Sequence, residues 1–254
     1  MKIVTFNPFR TIGIPNIQYI KPEKMFHPIE KDKILQADIC LFPEKWQVNA
    51  LVYGMKKKIF PSIETIHLGY DKIEMTRALL SVCPSHVPYT EIHGRSKESL
   101  ENILLTFPFP FVGKESRNSM GKGVFLINNQ DDFKDYAQSN STLYVQEYLP
   151  INKDLRVCVI GNKVVNAYWR INDESSFYNN IAQGGTISFD NIPQEALDLA
   201  LETALHLGIN HAGFDLVFAN NQYYFLEFNV LFGNQGFQEK GIRAEDYIIE
   251  AISH

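Results

Sequence analysis

The sequence predicts a mixed α/β (α+β) fold, and three observations lead there. Short apolar runs near the N-terminus stop at prolines, as buried strands do; a middle region of alternating or continuous apolar runs is punctuated by glycine turns; and one amphipathic helical stretch is followed by two apolar runs around a polar turn.

Taken in order, Lys2 to Phe6 and Ala37 to Phe42 read as strands ended by Pro8 and Pro43, with Lys58 to Pro61 as a third and Glu44 to Tyr53 as a helix between the last two. Residues 1–70 are thus expected to form a small α/β lobe. Asp71 to Leu80 has helical spacing and stops before Pro84. A new segment starts at Val87-Pro88-Tyr89-Thr90. Phe109 to Val112 and Val124 to Ile127 read as strands flanking the glycine-containing loop Ser116 to Gly123. Leu143 to Tyr148, Leu155 to Ile160 and Lys163 to Arg170 read as further strands, the last two joined by a Gly161-Asn162 hairpin turn. Ala196, Leu199, Ala200, Thr203, Ala204 and Leu207 share one helical face, with Asn191 and Pro193 at its start and Gly208 at its end. Ala212 to Phe218 and Tyr223 to Val230 then form two antiparallel strands around Asn220-Asn221.

Composition narrows the function classes. Apolar residues at 45% and charged ones at 21% describe a globular protein rather than a disordered one. A net charge of -5 argues against a surface that neutralises many nucleic-acid phosphates. Cys40, Cys83 and Cys158 lie singly, without zinc or disulfide spacing, and read as reduced thiols. With no signal-peptide core in Met1 to Pro8 and no run long enough to span a bilayer, a cytoplasmic location away from membranes is expected.

The most informative constellation is on the terminal hairpin, where Asp215 interrupts one apolar strand and Glu227 and Asn229 interrupt the other. Glu227 and Asn229 project from one face because strand side chains alternate. Oxygen donors of this kind suit magnesium, which takes carboxylate and amide oxygens at about 2.1 Å; the alternative is a solvated face of an ordinary hairpin. A plain two-residue loop at Asn220-Asn221 would pair Asp215 with Leu226 and turn it away from Glu227. A three-residue loop over Asn220 to Gln222, or an equivalent bulge, would set Asp215 opposite Glu227, and this second register is the one expected. Upstream, Lys114 precedes Ser119-Met120-Gly121-Lys122-Gly123, where small residues let backbone amides approach an anion; a tight turn beside a surface lysine is the alternative.

In this order Asp71-Lys72, Val87 to Thr90, Lys114, Ser119 to Val124, Gln146-Glu147-Tyr148, Asp154-Leu155-Arg156, Arg170, Asp215 and Glu227-Phe228-Asn229 resemble the ATP-grasp superfamily, and within it the RimK-type glutamate ligases. The likeness runs from about Tyr70 to Val230, which makes residues 1–70 a pre-ATP-grasp lobe and 71–254 an ATP-grasp domain of two sub-lobes. It implies that Lys72, Lys114 and the loop carrying Ser119, Gly121 and Gly123 hold the ATP phosphates. It also implies that Gln146, Glu147, Tyr148 and Leu149 line the adenine, that Asp154 takes a nucleotide position, and that Asp215, Glu227 and Asn229 bind magnesium or manganese. Arg156, Arg170 and Asn180 would serve the chemistry.

The implied reaction is phosphorylation of a carboxylate by ATP, attack of an amine on the acyl phosphate, and release of ADP and phosphate, with small-molecule or peptide substrates and a homo-oligomer as an open possibility. Residue-level alternatives are a cross-strand Glu147–Arg156 ion pair and a surface Arg170. A phosphotransferase acting on a hydroxyl and a nucleotide-binding module without turnover are the alternative functions. The chain departs from the branch at Phe177, which is followed by Tyr178-Asn179-Asn180 where Arg-Ser-Asn is usual, although Asn180 and Gln183-Gly184-Gly185 keep the pattern. Asn118 likewise stands where a glycine is usual. A phenol at 178 cannot neutralise a carboxylate, so a less acidic partner than glutamate is expected.

Overall fold

The computed structural model describes residues 1–116, 123–171 and 186–253. The first part of the chain runs β1 (Ile3–Thr5), β2 (Ile17–Tyr19), α1 (Pro28–Gln36), β3 (Ile39–Leu41), α2 (Lys45–Asn49), β4 (Lys58–Phe60) and α3 (Ile63–Gly69). Its strands form a parallel sheet in the order β2-β1-β3-β4. Glu44 caps α2 through a reciprocal box with Gln47, and a π-helical turn, Ala50–Gly54, continues it, so the helix expected over 44–53 is present in two parts.

Next come α4 (Lys72–Val82), β5 (Thr90–Gly94), α5 (Lys97–Thr106), β6 (Phe111–Lys114), β7 (Val124–Ile127), α6 (Gln130–Ser139) and β8 (Thr142–Glu147). Asp71 starts α4 by accepting the Ile73 N–H. The four strands pair antiparallel in the order β5-β8-β6-β7. The third part contains β9 (Lys153–Ile160), β10 (Lys163–Ile171), β11 (Thr186–Ser188), α7 (Gln194–Leu207), β12 (His211–Ala219), β13 (Gln222–Asn229), α8 (Gln235–Glu239) and α9 (Ala244–Ile252). Its strands form an antiparallel sheet, β11-β10-β9-β12-β13.

That last sheet is the centre of the molecule. Leu155, Val157, Val159, Phe214, Leu216 and Phe228 point to one face and share a core with Ala196, Ala200 and Ala204 of α7 and with Met75 and Leu79 of α4. At its other face Ile160 and Tyr168 share a core with Ile3, Ile39 and Leu41 of the first sheet and Ile248 of α9. The first seventy residues thus lean on the central sheet with one face and close a small core of their own on the other, where Val4, Phe6, Ile20, Met25, Ile34, Cys40 and Leu51 pack together. Among the described residues no helix is long and apolar enough to cross a membrane.

The β12–β13 hairpin carries the expected register. Its turn is the two-residue Asn220-Asn221, both with positive φ (49° and 61°), and Ala219 pairs with Gln222. Parity is restored by a bulge: Leu216 pairs with Phe225, Asp215 pairs with Glu227, and Leu226 is the extra residue. Leu226 and Glu227 consequently lie on the same side of the ladder, with Asn229 two residues on.

Gly208, at φ 70°, ends α7 in the left-handed conformation and caps it by donating to the Ala204 and Leu205 carbonyls. Gly208→Ala is expected to lower unfolding free energy by about 1–2 kcal/mol, the cost of placing an L side chain there. Urea denaturation should show a lower midpoint at unchanged slope.

Candidate active site

Four charged side chains meet on one face of the central sheet because three strands are in register. On β9, Asp154 and Arg156 are two residues apart and share a face. Arg170 of β10 pairs opposite Asp154, and Asp215 of β12 pairs opposite Arg156. Arg156 donates through Nε and Nη2 to the two oxygens of Asp215, the latter at 2.9 Å. Arg170 donates to Asp154 through Nε at 2.9 Å and reaches across β9 to Asp215 Oδ1, also at 2.9 Å. All four are nearly closed to solvent, with side-chain exposures of 7% for Arg156, 6% for Asp215, 12% for Arg170 and 1% for Asp154.

Burial makes this chain of charges interdependent. Desolvation by itself would lower Arg170, but Asp215 and Asp154 outweigh it and hold the guanidinium protonated above its ordinary range. Burial would raise Asp215; Arg156 and Arg170 reverse that and keep it ionised. Asp154 ends raised, with burial the largest cause and Asp215 adding to it against the pull of Arg170. Its Oδ1 is buried without a hydrogen-bond partner. Gly213 makes room for the array: a Cβ there would sit 2.8 Å from Phe232 Cβ and 2.9 Å from Arg156 Cδ. An isolated glycine between Ala212 and Phe214 in an apolar strand is the sequence signal for that close approach.

The hairpin and two neighbouring elements complete the site. Asn229 Nδ2 lies 3.4 Å from Asp215 Oδ2 and 3.3 Å from Glu227 Oε1. Lys72, the first residue of α4, places Nζ 3.7 Å from Glu227 Oε2, and its backbone N–H donates to the Ser116 carbonyl beyond β6. Lys114 ends β6; it is 7% exposed, and its Nζ stands 5.6 Å from the ring centre of Tyr144. Burial pulls Lys114 down to about 8, with Glu227 partly offsetting it. Lys72 is lowered too, by burial first, with Glu227 opposing and Lys114 adding repulsion. Three carboxylates, Asp154, Asp215 and Glu227, face four cationic groups, Arg156, Arg170, Lys72 and Lys114, and that excess of positive charge suits a polyanion.

The remaining expected residues are placed as follows. Gln146 is buried and donates to Thr90 Oγ1 at 2.7 Å, so its side chain is turned into the sheet. Glu147 accepts the Tyr89 backbone N–H at 2.7 Å; it does not pair with Arg156, whose partner is Asp215. Leu149 packs with Val217 and Tyr224, flanked by Ile151 and Leu226, and Tyr148 lies between Glu147 and this apolar group in sequence. Asp154 is spent on Arg170, and Arg170 is not a surface residue. Gly123 accepts the Glu115 N–H through its carbonyl. Ser119, Gly121, Tyr178 and Asn180 lie outside the described residues. Tyr144, whose hydroxyl is 2.8 Å from Thr76 Oγ1 and whose ring flanks Lys114, was not legible as a site residue. It reads in sequence as one more apolar strand position.

Residues 70–252 match the RimK-like ATP-grasp domain, which is most of the chain. The protein belongs to the RimK-like ATP-grasp family. Among curated relatives, the coenzyme γ-F420-2:α-L-glutamate ligase of Methanocaldococcus jannaschii is 29% identical over 216 residues, covering 82% of this chain and 74% of that protein. The ribosomal protein bS6–L-glutamate ligase of Salmonella paratyphi B is 28% identical over 159 residues, 60% of this chain and about half (53%) of its own length. Among solved structures, the RimK domain ATP-grasp protein of Sphaerobacter thermophilus superposes with a TM-score of 0.67 at 16% identity, covering 86% of this chain and 82% of the other. N5-carboxyaminoimidazole synthetase of Staphylococcus aureus, solved with ADP, gives 0.73 at 19% identity, over 99% of this chain and 70% of the other. These likenesses establish the ATP-grasp fold, and family membership implies use of ATP with a divalent cation.

A triphosphate near Lys114 would favour its charged form, so ATP binding should take up a proton wherever free Lys114 is neutral, that is above about pH 8. Calorimetry at pH 8.5 in buffers of different ionisation enthalpy is expected to show net proton uptake that fades toward pH 7. Lys114→Met should remove it and weaken ATP binding.

Proposed function

We propose that the protein joins a carboxylate to an amine at the expense of ATP, through an acyl phosphate. The observation that supports this best is the single sheet face on which Asp215, Glu227 and Asn229 meet two immobilised arginines, with Lys72 and Lys114 reaching in from other elements. On this reading residues 1–70 are the lobe that helps receive substrate and residues 71–254 the domain that clasps ATP.

The donor set fits a hard divalent cation. Among the described residues no three carboxylate, histidine or cysteine side chains cluster as a metal site, but two carboxylates and an amide do adjoin. Turning the Asn229 amide over exchanges Nδ2 for Oδ1, giving the all-oxygen environment that magnesium prefers. Asp215 already accepts from both arginines, so Glu227 and Asn229 are the better placed to give oxygens, with Asp215 beside them. Glu227 and Asn229 would hold the cation, which would supply charge neutralisation at the phosphoryl oxygens.

The protein's own groups then divide the work. Lys72 and Lys114 attract and orient the phosphates; Lys114, with its value near 8, is still largely protonated at neutral pH. Arg156 and Arg170 are locked by Asp215 and Asp154, so their guanidinium groups need no reorganisation when negative charge grows on the transferring phosphoryl group and then on the attacked carbonyl. The buried apolar group of Leu149, Val217 and Tyr224, edged by the half-buried Ile151 and Leu226, is the apolar wall against which a purine lying along Gln146 to Leu149 would pack. A carboxylate in line with the γ-phosphoryl group becomes the acyl phosphate, and an amine then displaces phosphate from its carbonyl carbon.

Hydroxylamine distinguishes this from phosphorylation of a hydroxyl. With ATP, magnesium and a pool of candidate carboxylates, the protein is expected to give a hydroxamate together with ADP and phosphate, and Glu227→Gln to depress both by roughly 10²–10³-fold. ADP formed with a phosphorylated, hydroxylamine-resistant product would establish a kinase instead.

A further inference from the structure

The two lysines proposed to meet the phosphates come from different elements, and one side chain links their supports. Lys114 on β6 pairs directly opposite Tyr144 on β8, so the two side chains lie next to each other on one face of that sheet. Lys114 Nζ stands 5.6 Å from the centre of the Tyr144 ring, within the range in which an aromatic face attracts a cation. The other end of Tyr144 reaches α4: its hydroxyl is 2.8 Å from Thr76 Oγ1, and Thr76 lies one turn beyond Lys72 on the same face of that helix. The Lys72 N–H, donating to the Ser116 carbonyl, ties the start of α4 to the chain leaving β6.

Tyr144 has little freedom of its own. It is buried, and the backbone it shares with Lys114 is pinned from the opposite face of the sheet. There Tyr136 of α6 packs in a core with Leu143 and Val145. Its hydroxyl stands 2.8 Å from the Lys114 carbonyl oxygen and 2.9 Å from that of Tyr144, and accepts the Tyr144 N–H at 3.0 Å. On the face that Tyr144 occupies, Gln146 donates to Thr90 Oγ1 at 2.7 Å, and its amide nitrogen also lies 3.4 Å from the Tyr144 hydroxyl. That second contact occupies a lone pair of the phenol and leaves its proton for Thr76. Burial raises Tyr144 to about 12, so it stays a neutral donor.

We infer that Tyr144 is a positioning residue for the triphosphate: its ring holds the Lys114 ammonium, and its hydroxyl, through Thr76, sets the helix that carries Lys72 at a fixed distance from it. Such a device has work to do here, because the two lysines repel each other and share Glu227, which lies 3.7 Å from Lys72 Nζ and also favours the charged form of Lys114. A carboxylate beneath Lys114 would compete with phosphate for it. A neutral ring orients the ammonium and leaves its charge for the ligand. The inference rests on Lys72 and Lys114 meeting the phosphates, and not on which group accepts the phosphoryl.

The test compares ATP with AMP, which keeps base and ribose but lacks the terminal phosphates, by calorimetry on the whole protein with magnesium at pH 7. Tyr144→Leu removes the ring and is expected to weaken ATP about tenfold or more while leaving AMP within about twofold. In a Lys114→Met background the same substitution should add little further loss of ATP affinity. Tyr144→Phe keeps the ring and should restore most of the ATP affinity, leaving a deficit of a few-fold that Thr76→Val reproduces and that does not grow when the two are combined. ATP and AMP weakened alike in Tyr144→Leu would show a merely structural residue. Undiminished ATP affinity in that variant, or its full loss persisting without Lys114, would equally overturn the inference. Should Tyr144→Leu not fold, Tyr144→Phe and Thr76→Val decide the matter, and wild-type ATP affinity in both overturns it. Lys114→Met binding ATP like the wild type would remove the phosphate reading itself, an outcome distinct from Lys114→Met weakening ATP while Tyr144→Leu does not.

Discussion

The alternation of charges across β10, β9 and β12 is the constraint on which the rest depends. Arg170, Asp154, Arg156 and Asp215 are buried together, and each would be costly alone; removing one partner of such a group typically costs about 3–5 kcal/mol because the other is left charged and dry. The strand registers satisfy this by setting opposite signs side by side and letting Arg170 span both aspartates. The neighbours stay neutral: burial raises Cys158 to about 12 and pushes Tyr168 upward as well. One sheet thus has an ionic patch on the face opposite its large apolar core, and the apolar side fixes the geometry of the charged one.

From that patch the other elements take their roles. The β12–β13 bulge turns Glu227 and Asn229 toward Asp215; α4 brings Lys72 from its first turn; the antiparallel sheet β5-β8-β6-β7 brings Lys114 at the end of a strand. The N-terminal sheet is joined through an aromatic contact, in which Phe42 and Phe60 lie nearly perpendicular to the His211 ring and Phe232 stacks on it at 4.7 Å between centres. Burial lowers His211 to about 4, so it is neutral in this apolar setting while it engages the Val230 carbonyl. The N-terminal sheet is therefore fixed to the hairpin that bears Glu227 and Asn229.

Much of this was legible in the sequence where the signals are local. The helix after Asp71, the Gly161 turn, α7 with its glycine cap and the parity of the last hairpin follow from caps, periodicity and turn chemistry, and the bulge expected as an alternative to a longer turn is the device present. Helices α5 and α6 are absent from the sequence expectation, although Ser96 and Asn129 cap them and Asp131 and Asp132 fill the first turn of α6. The residue types Asp154, Arg156, Arg170 and Asp215 were legible, but not their mutual pairing, because it depends on β9 lying between β10 and β12. That order joins residues about sixty positions apart, which no local pattern encodes.

The central claim is that the face bearing Asp215, Glu227 and Asn229 holds a divalent cation with ATP. Electron paramagnetic resonance of Mn²⁺, titrated with and without ATP, tests it without any knowledge of the carboxylate or amine. ATP is expected to increase Mn²⁺ immobilisation sharply in the wild-type protein, and that increase is expected to be lost in Glu227→Gln. ATP-dependent immobilisation that persists unchanged in Glu227→Gln would contradict the account.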